Sequence, residues 1–187
     1  RKVVQTEAYQ RIERAPCFVV CIGGYLDRFD ILYKEDNTIK DSKEVRSYLQ
    51  SKKKKLFSYE IFENLDLSKG NYEELEFQFS SFVGCNFTQS SWNKSHLLFS
   101  NLQNTMLKNT KMEKMKIFDT DFSGATLEQV DFAGAKIKHV SFAGAKLIQV
   151  DFSKVLLAEE INFQDAQIVD CKFPEEVGSG LLYHENR

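Results

Sequence analysis

From Leu67 to Leu157 a large apolar residue falls at every fifth position: Leu67, Tyr72, Phe77, Phe82, Phe87, Trp92, Leu97, Leu102, Leu107, Met112, Ile117, Phe122, Leu127, Phe132, Ile137, Phe142, Leu147, Phe152 and Leu157. An amphipathic helix repeats near 3.6 residues and a half-buried strand repeats at about 2, so a strict five fits neither. It predicts a chain that winds on itself, each short unit burying one large side chain against its neighbours. A second layer runs two residues before each centre. From Ser80 it reads Ser80, Cys85, Ser90, Ser95, Ser100, Thr105, Thr110, Met115, Thr120, Ala125, Val130, Ala135, Val140, Ala145, Val150 and Val155, small or β-branched except at Met115. After Leu157 the next centre, Phe163, follows at a spacing of six, and Ile168 and Phe173 resume the five with Ile161, Ala166 and Cys171 as inner partners. One residue inserted within AEEIN predicts a bulged corner.

A tandem unit of small, polar, large apolar, polar, polar residues resembles the pentapeptide-repeat family, and VDFAG, AKIKH, VSFAG, AKLIQ and VDFSK come near its ideal. The resemblance implies a mainly β fold, a right-handed quadrilateral β-helix in which four units close one coil and centre and small residue face inward. Twenty-two units would give about 5.5 coils. Asp121, Asp131 and Asp151 occupy the slot where that family commonly carries Asp or Asn, so their expected role is structural. A solenoid exposes an apolar disc and unpaired backbone at each end, so the flanking segments are expected to be caps or neighbouring modules.

Those flanks obey different rules. Lys2 to Arg14 reads as a helix stopped by Pro16, with Glu7 and Arg11 spaced for an ion pair. CFVVCI and FDILY read as strands joined by the turn-like GGYLDR, and YKEDNTIKD holds a further turn. Asp41 and Glu44 form a capping-box-like start, and Val45, Tyr48 and Leu49 give a short helix its buried stripe. The expected division is a small α+β module over 1–60, the β-helix over 61–175 and a tail or cap over 176–187.

FDILY followed by SKEVRSYL resembles, over about forty residues, the methyl-CpG-binding domain, with Asp30 matching that family's aspartate. The resemblance implies a shared fold. Its base-reading arginines are not matched: Asp41 stands where one is expected, and Arg28 is the only basic residue of the shortened loop. Lys52, Lys53, Lys54 and Lys55 together with Arg28 are the candidate nucleic-acid contacts, by phosphate neutralisation. The alternative is a solvated helix end whose cations complement the macrodipole.

Composition narrows the classes. The 187 residues carry a formal charge of −2, with 42% hydrophobic and 13% aromatic residues, as expected of one or two soluble domains. There is no apolar run of eighteen residues and no signal peptide, and the opening arginine suggests an excised piece. Cys85 and Cys171 fill inward slots while Cys17 and Cys21 share a strand face, a usage that points to a reducing compartment, cytoplasmic or nuclear, rather than to disulfides or zinc. The sequence holds no phosphate loop, nucleophile elbow or metal-ligand pair, so a non-catalytic protein without cofactor or metal is expected.

Positions twenty apart should stack on one side of the square. The side centred on Leu97, Ile117, Ile137 and Leu157 then points outward His96, Leu98, Phe99, Lys116, Phe118, Lys136, Lys138 and His139. Apolar side chains rimmed by lysines on an otherwise polar surface mark a contact, either with a protein partner or with another part of the same chain. Three functions follow: a protein-interaction scaffold first, a chromatin or nucleic-acid module through the N-terminal region second, and a topoisomerase-binding DNA mimic third. The third fits poorly, because residues 66–160 carry twelve acidic and ten basic side chains rather than a dense negative surface.

Overall fold

The structure is a computed structural model and describes residues 42–51 and 55–174. The chain divides into compact units Arg1–Lys40 and Asp41–Arg187, and the described residues belong to the second. The expected N-terminal helix and strands, Arg28, Cys17, Cys21, Lys52 to Lys54 and the tail beyond 174 lie outside them.

Helix α1, Ser42–Gln50, buries Val45 and Leu49 in the core. The Tyr48 ring meets Phe57 edge-on at 5.5 Å. The helix is tied to the first coil through Ser42, whose Oγ accepts the Asp66 amide at 2.9 Å, and Arg46, whose Nη2 donates to the Asp66 carbonyl at 2.8 Å. Its apolar stripe therefore packs in the hydrophobic core shared with the solenoid coils. The methyl-CpG-like reading gains no support from this helix.

Ten short strands follow: β1 Leu56–Ser58, β2 Glu76–Gln78, β3 His96–Leu98, β4 Met106–Lys108, β5 Lys116–Asp121, β6 Thr126–Glu128, β7 Lys136–Ser141, β8 Lys146–Ile148, β9 Leu157–Asn162 and β10 Gln167–Val169. One parallel sheet runs β1-β2-β3-β5-β7-β9 and a second runs β10-β8-β6-β4. Parallel bridges such as Asn101↔Asp121 and Lys111↔Asp131 link the other two sides. Six strands in one face give a β-solenoid of about six turns, with Phe77 over Leu97 over Ile117 over Ile137 in register.

Why five residues make one side is visible in the backbone. Corner positions recur in the left-handed region, including Lys94, Phe99, Asn104, Asn109, Lys114 and Asp119, with φ between 51° and 61°. Asn and Asp residues that open a side accept the amide two residues on, as at Asp121 to Ser123, Asp131 to Ala133 and Asp151 to Ser153. The recurrent aspartates thus fix corners.

Every centre from Leu67 to Phe152 is buried, and so are the inner residues from Ser80 to Val150, Met115 included. Two features differ from the sequence reading. The frame starts ten residues earlier, with Phe57 and Phe62 already in centre slots and Phe57 paired with Phe77. The insertion also lies before Leu157. Leu157 pairs with Lys136 and takes an outer slot, Ala158 takes the slot opposite Ile137, and Leu156 is pushed out to 71% exposure. Alanine fits the interior there, so the extra residue is absorbed in the preceding corner.

Candidate interaction face

The six-stranded sheet carries three outward columns. The first holds Leu56, Glu76, His96, Lys116, Lys136 and Leu157, and the second holds Ser58, Gln78, Leu98, Phe118, Lys138 and Glu159. The third is the corner column Tyr59, Phe79, Phe99, Asp119, His139 and Glu160. All eight partner residues expected from sequence lie on these columns.

Their surroundings separate them. Leu98 and Phe118 are paired neighbours on adjacent coils, both half-buried. Phe99 is also half-buried and stacks on Phe79 at 5.0 Å and 8°, and Phe79 stacks on Tyr59 at 5.1 Å and 8°. These rings occupy corners at φ 52° to 61°, a conformation that bulky side chains rarely adopt. Stacking offsets the strain and keeps an aromatic ladder on the outside of the prism.

Three of the five polar partner candidates are engaged within the chain. His96 Nδ1 lies 3.6 Å from Glu76, and Lys138 Nζ lies 3.0 Å from Glu159, whose bond raises the lysine's pKa above its ordinary value. His139 sits between Asp119, 3.0 Å from Nδ1, and Glu160, 3.4 Å from Nε2. Lys116 and Lys136 are exposed and register-paired, without an ion pair among the described residues. Of the nucleic-acid candidates, the described residue Lys55 is paired with Glu74 at 3.4 Å.

Sequence reasoning overlooked the corner beside the first column, where Glu74, Lys94, Lys114 and Gly134 follow one another in the left-handed region, with Lys154 on the next coil accepting the Gly134 amide at its carbonyl. A count in steps of twenty over corner positions, rather than strand positions alone, would have revealed it. Elsewhere the interior is chemically quiet: burial pushes the Cys85 thiol up to about 12, so it stays protonated and unreactive near neutrality.

A stack of parallel coils with corners every five residues, large centres and small inner residues defines a β-solenoid. Residues 86–163 match the family model described as "Pentapeptide repeat region". A trypsin-treated form of QnrB1, a plasmid-mediated fluoroquinolone resistance protein, aligns at 19% identity with a TM-score of 0.55, covering 64% of this chain and 60% of that one. The pentapeptide repeat protein Rfr23 from the cyanobacterium Cyanothece 51142 aligns at 16% identity over 63% of this chain and 87% of that one, with a TM-score of 0.43. A pentapeptide repeat protein from the Arabidopsis thaliana thylakoid lumen aligns at 19% identity over 58% and 73%, with a TM-score of 0.49. No curated protein matches the sequence. Residues 86–163 thus resemble the pentapeptide-repeat family, and the likeness to QnrB1 supports the β-helix fold. Among the described residues, no helix is long and apolar enough to cross a membrane.

Proposed function

We propose that the protein is a non-catalytic interaction scaffold that binds a protein partner on the six-stranded face. The observation that carries this reading is the side-by-side placement of Leu98 and Phe118 on the outside of a rigid sheet, adjoining Phe99 and flanked by Lys116 and Lys136. Apolar side chains fixed on a stiff surface lose little entropy on docking, which favours them as anchors. The other members have narrower roles: His96, Lys138 and His139 rim the face and hold neighbouring coils together. In this reading residues 1–55 and 176–187 flank the β-helix in sequence as accessory segments, Leu56–Ser58 already being its first strand, and the protein works inside the cell. A nucleic-acid role through Arg28 and the Lys52–Lys55 run is the weaker reading, since Lys55 is already committed to Glu74.

The test is site-specific photo-crosslinking. With benzoylphenylalanine in place of Phe118, a discrete protein adduct is expected in cells, and none with the same probe in place of Met106 on the opposite sheet. Equal adducts at both sites, or none at Phe118, would contradict the proposal.

A further inference from the structure

Several cations on this solenoid are balanced by acids on neighbouring coils, Lys108 by Glu128 at 3.0 Å, Lys138 by Glu159 at 3.0 Å and Lys172 by Asp151 at 3.6 Å, whereas Lys69, Lys111 and Lys146 stand singly without an ion pair among the described residues. The ridge at the edge of the six-stranded face differs in bringing several such lysines together on neighbouring coils. At its N-terminal end Lys94 is neutralised by Glu74 at 3.7 Å and His96 lies beside Glu76. Farther along, Lys114, Lys116, Lys136 and Lys154 have no ion pair among the described residues. Lys116 and Lys136 stand directly opposite each other in register, where like charges destabilise a sheet. The Lys114 stem leans over Gly134, since a Cβ built there would lie 3.1 Å from Lys114 Cγ. Beside this ridge Leu156 projects at 71% exposure, and its amide donates to the Ala135 carbonyl at 2.8 Å.

We infer that this ridge binds an acidic, leucine-like extended peptide segment of the partner, its carboxylates on Lys114, Lys116, Lys136 and Lys154 and its apolar side chains against Leu156 and the Phe118 edge. The inference rests on the scaffold reading and names the chemistry of its partner. Charge complementarity decides for an anion, and the width of the strip decides for a single narrow chain. Acids border it on both sides, Glu113, Asp131 and Asp151 on one and Asp119, Glu159 and Glu160 on the other. A nucleic-acid duplex would lay phosphates over those carboxylates, and the chain's net charge of −2 supplies no long-range attraction for it. From the Lys114 coil to the Lys154 coil is two steps of ~4.8 Å, a length spanned by about three residues of extended peptide.

The probe is a fluorescein-labelled peptide of alternating glutamate and leucine, read by anisotropy with the full chain. A glutamine-for-glutamate peptide and a labelled single-stranded oligonucleotide serve as comparators. Salt-sensitive binding of the glutamate peptide is expected, weakened about tenfold or more by Lys116→Glu/Lys136→Glu or by Lys114→Glu/Lys154→Glu. Lys146→Glu on the opposite sheet should leave it unchanged. All variants are to show wild-type circular dichroism and a cooperative melt, so that lost affinity reports the ridge. Equal binding of the glutamine peptide, tighter binding of the oligonucleotide, or indifference to the ridge reversals would overturn the inference. A Phe118 adduct that persists in the Lys116→Glu/Lys136→Glu variant would overturn it alone and leave the scaffold reading intact, whereas absence of any Phe118 adduct contradicts the scaffold reading.

Discussion

The two halves of the solenoid fill the same square by different means. In the N-terminal half the centres include Tyr72, Phe77, Phe82, Phe87 and Trp92, whose rings meet tilted or edge-on, as Phe82 and Phe87 each do against Trp92 at 5.8 and 4.9 Å. The inner residues there are mostly Ser, Thr or Cys. Their side chains donate to backbone carbonyls: Ser95 Oγ to Tyr72 at 2.6 Å, Thr110 Oγ1 to Phe87 at 2.9 Å and Ser90 Oγ to Phe87 at 2.7 Å. In the C-terminal half the inner residues are mostly Ala and Val, and ring geometry follows one rule in both halves: phenylalanines one coil apart stack, Phe132 on Phe152 at 4.9 Å and 7° as Phe57 does on Phe77, while rings on adjacent sides, such as Phe142 and Phe152, meet edge-on. Large rings with small hydroxyl partners in one half, and smaller centres with aliphatic partners in the other, conserve packed volume. A buried hydroxyl is tolerated because the coil backbone supplies acceptors at recurring places, either three residues earlier or on the preceding coil.

That contrast can be broken, and the largest effect is expected at its extreme. Trp92→Ala removes the ring on which Tyr72, Phe77, Phe82 and Phe87 converge. It should cost about 4 kcal/mol in denaturant unfolding, more than Leu127→Ala in the other half. A loss below about 2 kcal/mol would mean that the aromatic half repacks and the comparison fails. Next is Gly70→Ala. Its Cβ would fall 2.1 Å from the Tyr72 hydroxyl and 2.2 Å from Cζ, while that hydroxyl donates to the buried Leu67 carbonyl at 2.8 Å. The expected penalty is about 2 kcal/mol, largely relieved in Gly70→Ala/Tyr72→Leu by a double-mutant cycle.

The inner layer gives a smaller, sharper test. Ser95, Thr110 and Thr120 each donate to the carbonyl 23 residues earlier. Ser95→Ala should therefore cost about 1 kcal/mol, whereas Ala135→Ser should be near neutral because the Met112 carbonyl stands at the same offset. If Ala135→Ser proves as costly as Ser95→Ala, the acceptors are peculiar to the N-terminal half. The smallest effect is expected from pH. Hydrogen bonds from Ser68 hold the Asp66 carboxyl below its usual 3.8. At Asp151 burial pushes upward, but the bonds from Ser153 and the Lys172 ammonium outweigh it. Groups lowered in the folded state contribute stability above their unfolded pKa and lose it as pH falls through the folded value. Melting temperature should thus decline below about pH 4, less steeply in Asp66→Asn/Asp151→Asn.

Much of this organisation was legible in sequence. The centres and inner partners from Leu67 to Phe152 could be read directly because one side of the prism consumes five residues. Phe57 and Phe62 escaped because Lys55 and Glu60 stand two residues before them, where a small residue normally announces the unit. The insertion was placed one corner late because Leu157 looks like a centre, and only pairing across the coils shows that Ala158 is the inward residue. That displacement matters for the site. It shifts the coil offset from twenty to twenty-one and brings Glu159 and Glu160 under Lys138 and His139, so two expected partner contacts are internal ties. Of the ridge lysines, Lys116 and Lys136 were legible as strand positions, whereas Lys114 and Lys154 were missed because they precede the strand and fall outside the units centred on that side.

The central claim is that the six-stranded face, anchored by Leu98 and Phe118, is where a protein partner binds. The most direct measurement is capture of cellular proteins at moderate salt by the intact chain and by Leu98→Ser/Phe118→Ser, beside thermal unfolding of both. The account predicts loss of a discrete partner by the variant with its cooperative melt retained. Undiminished capture by a folded variant would contradict it.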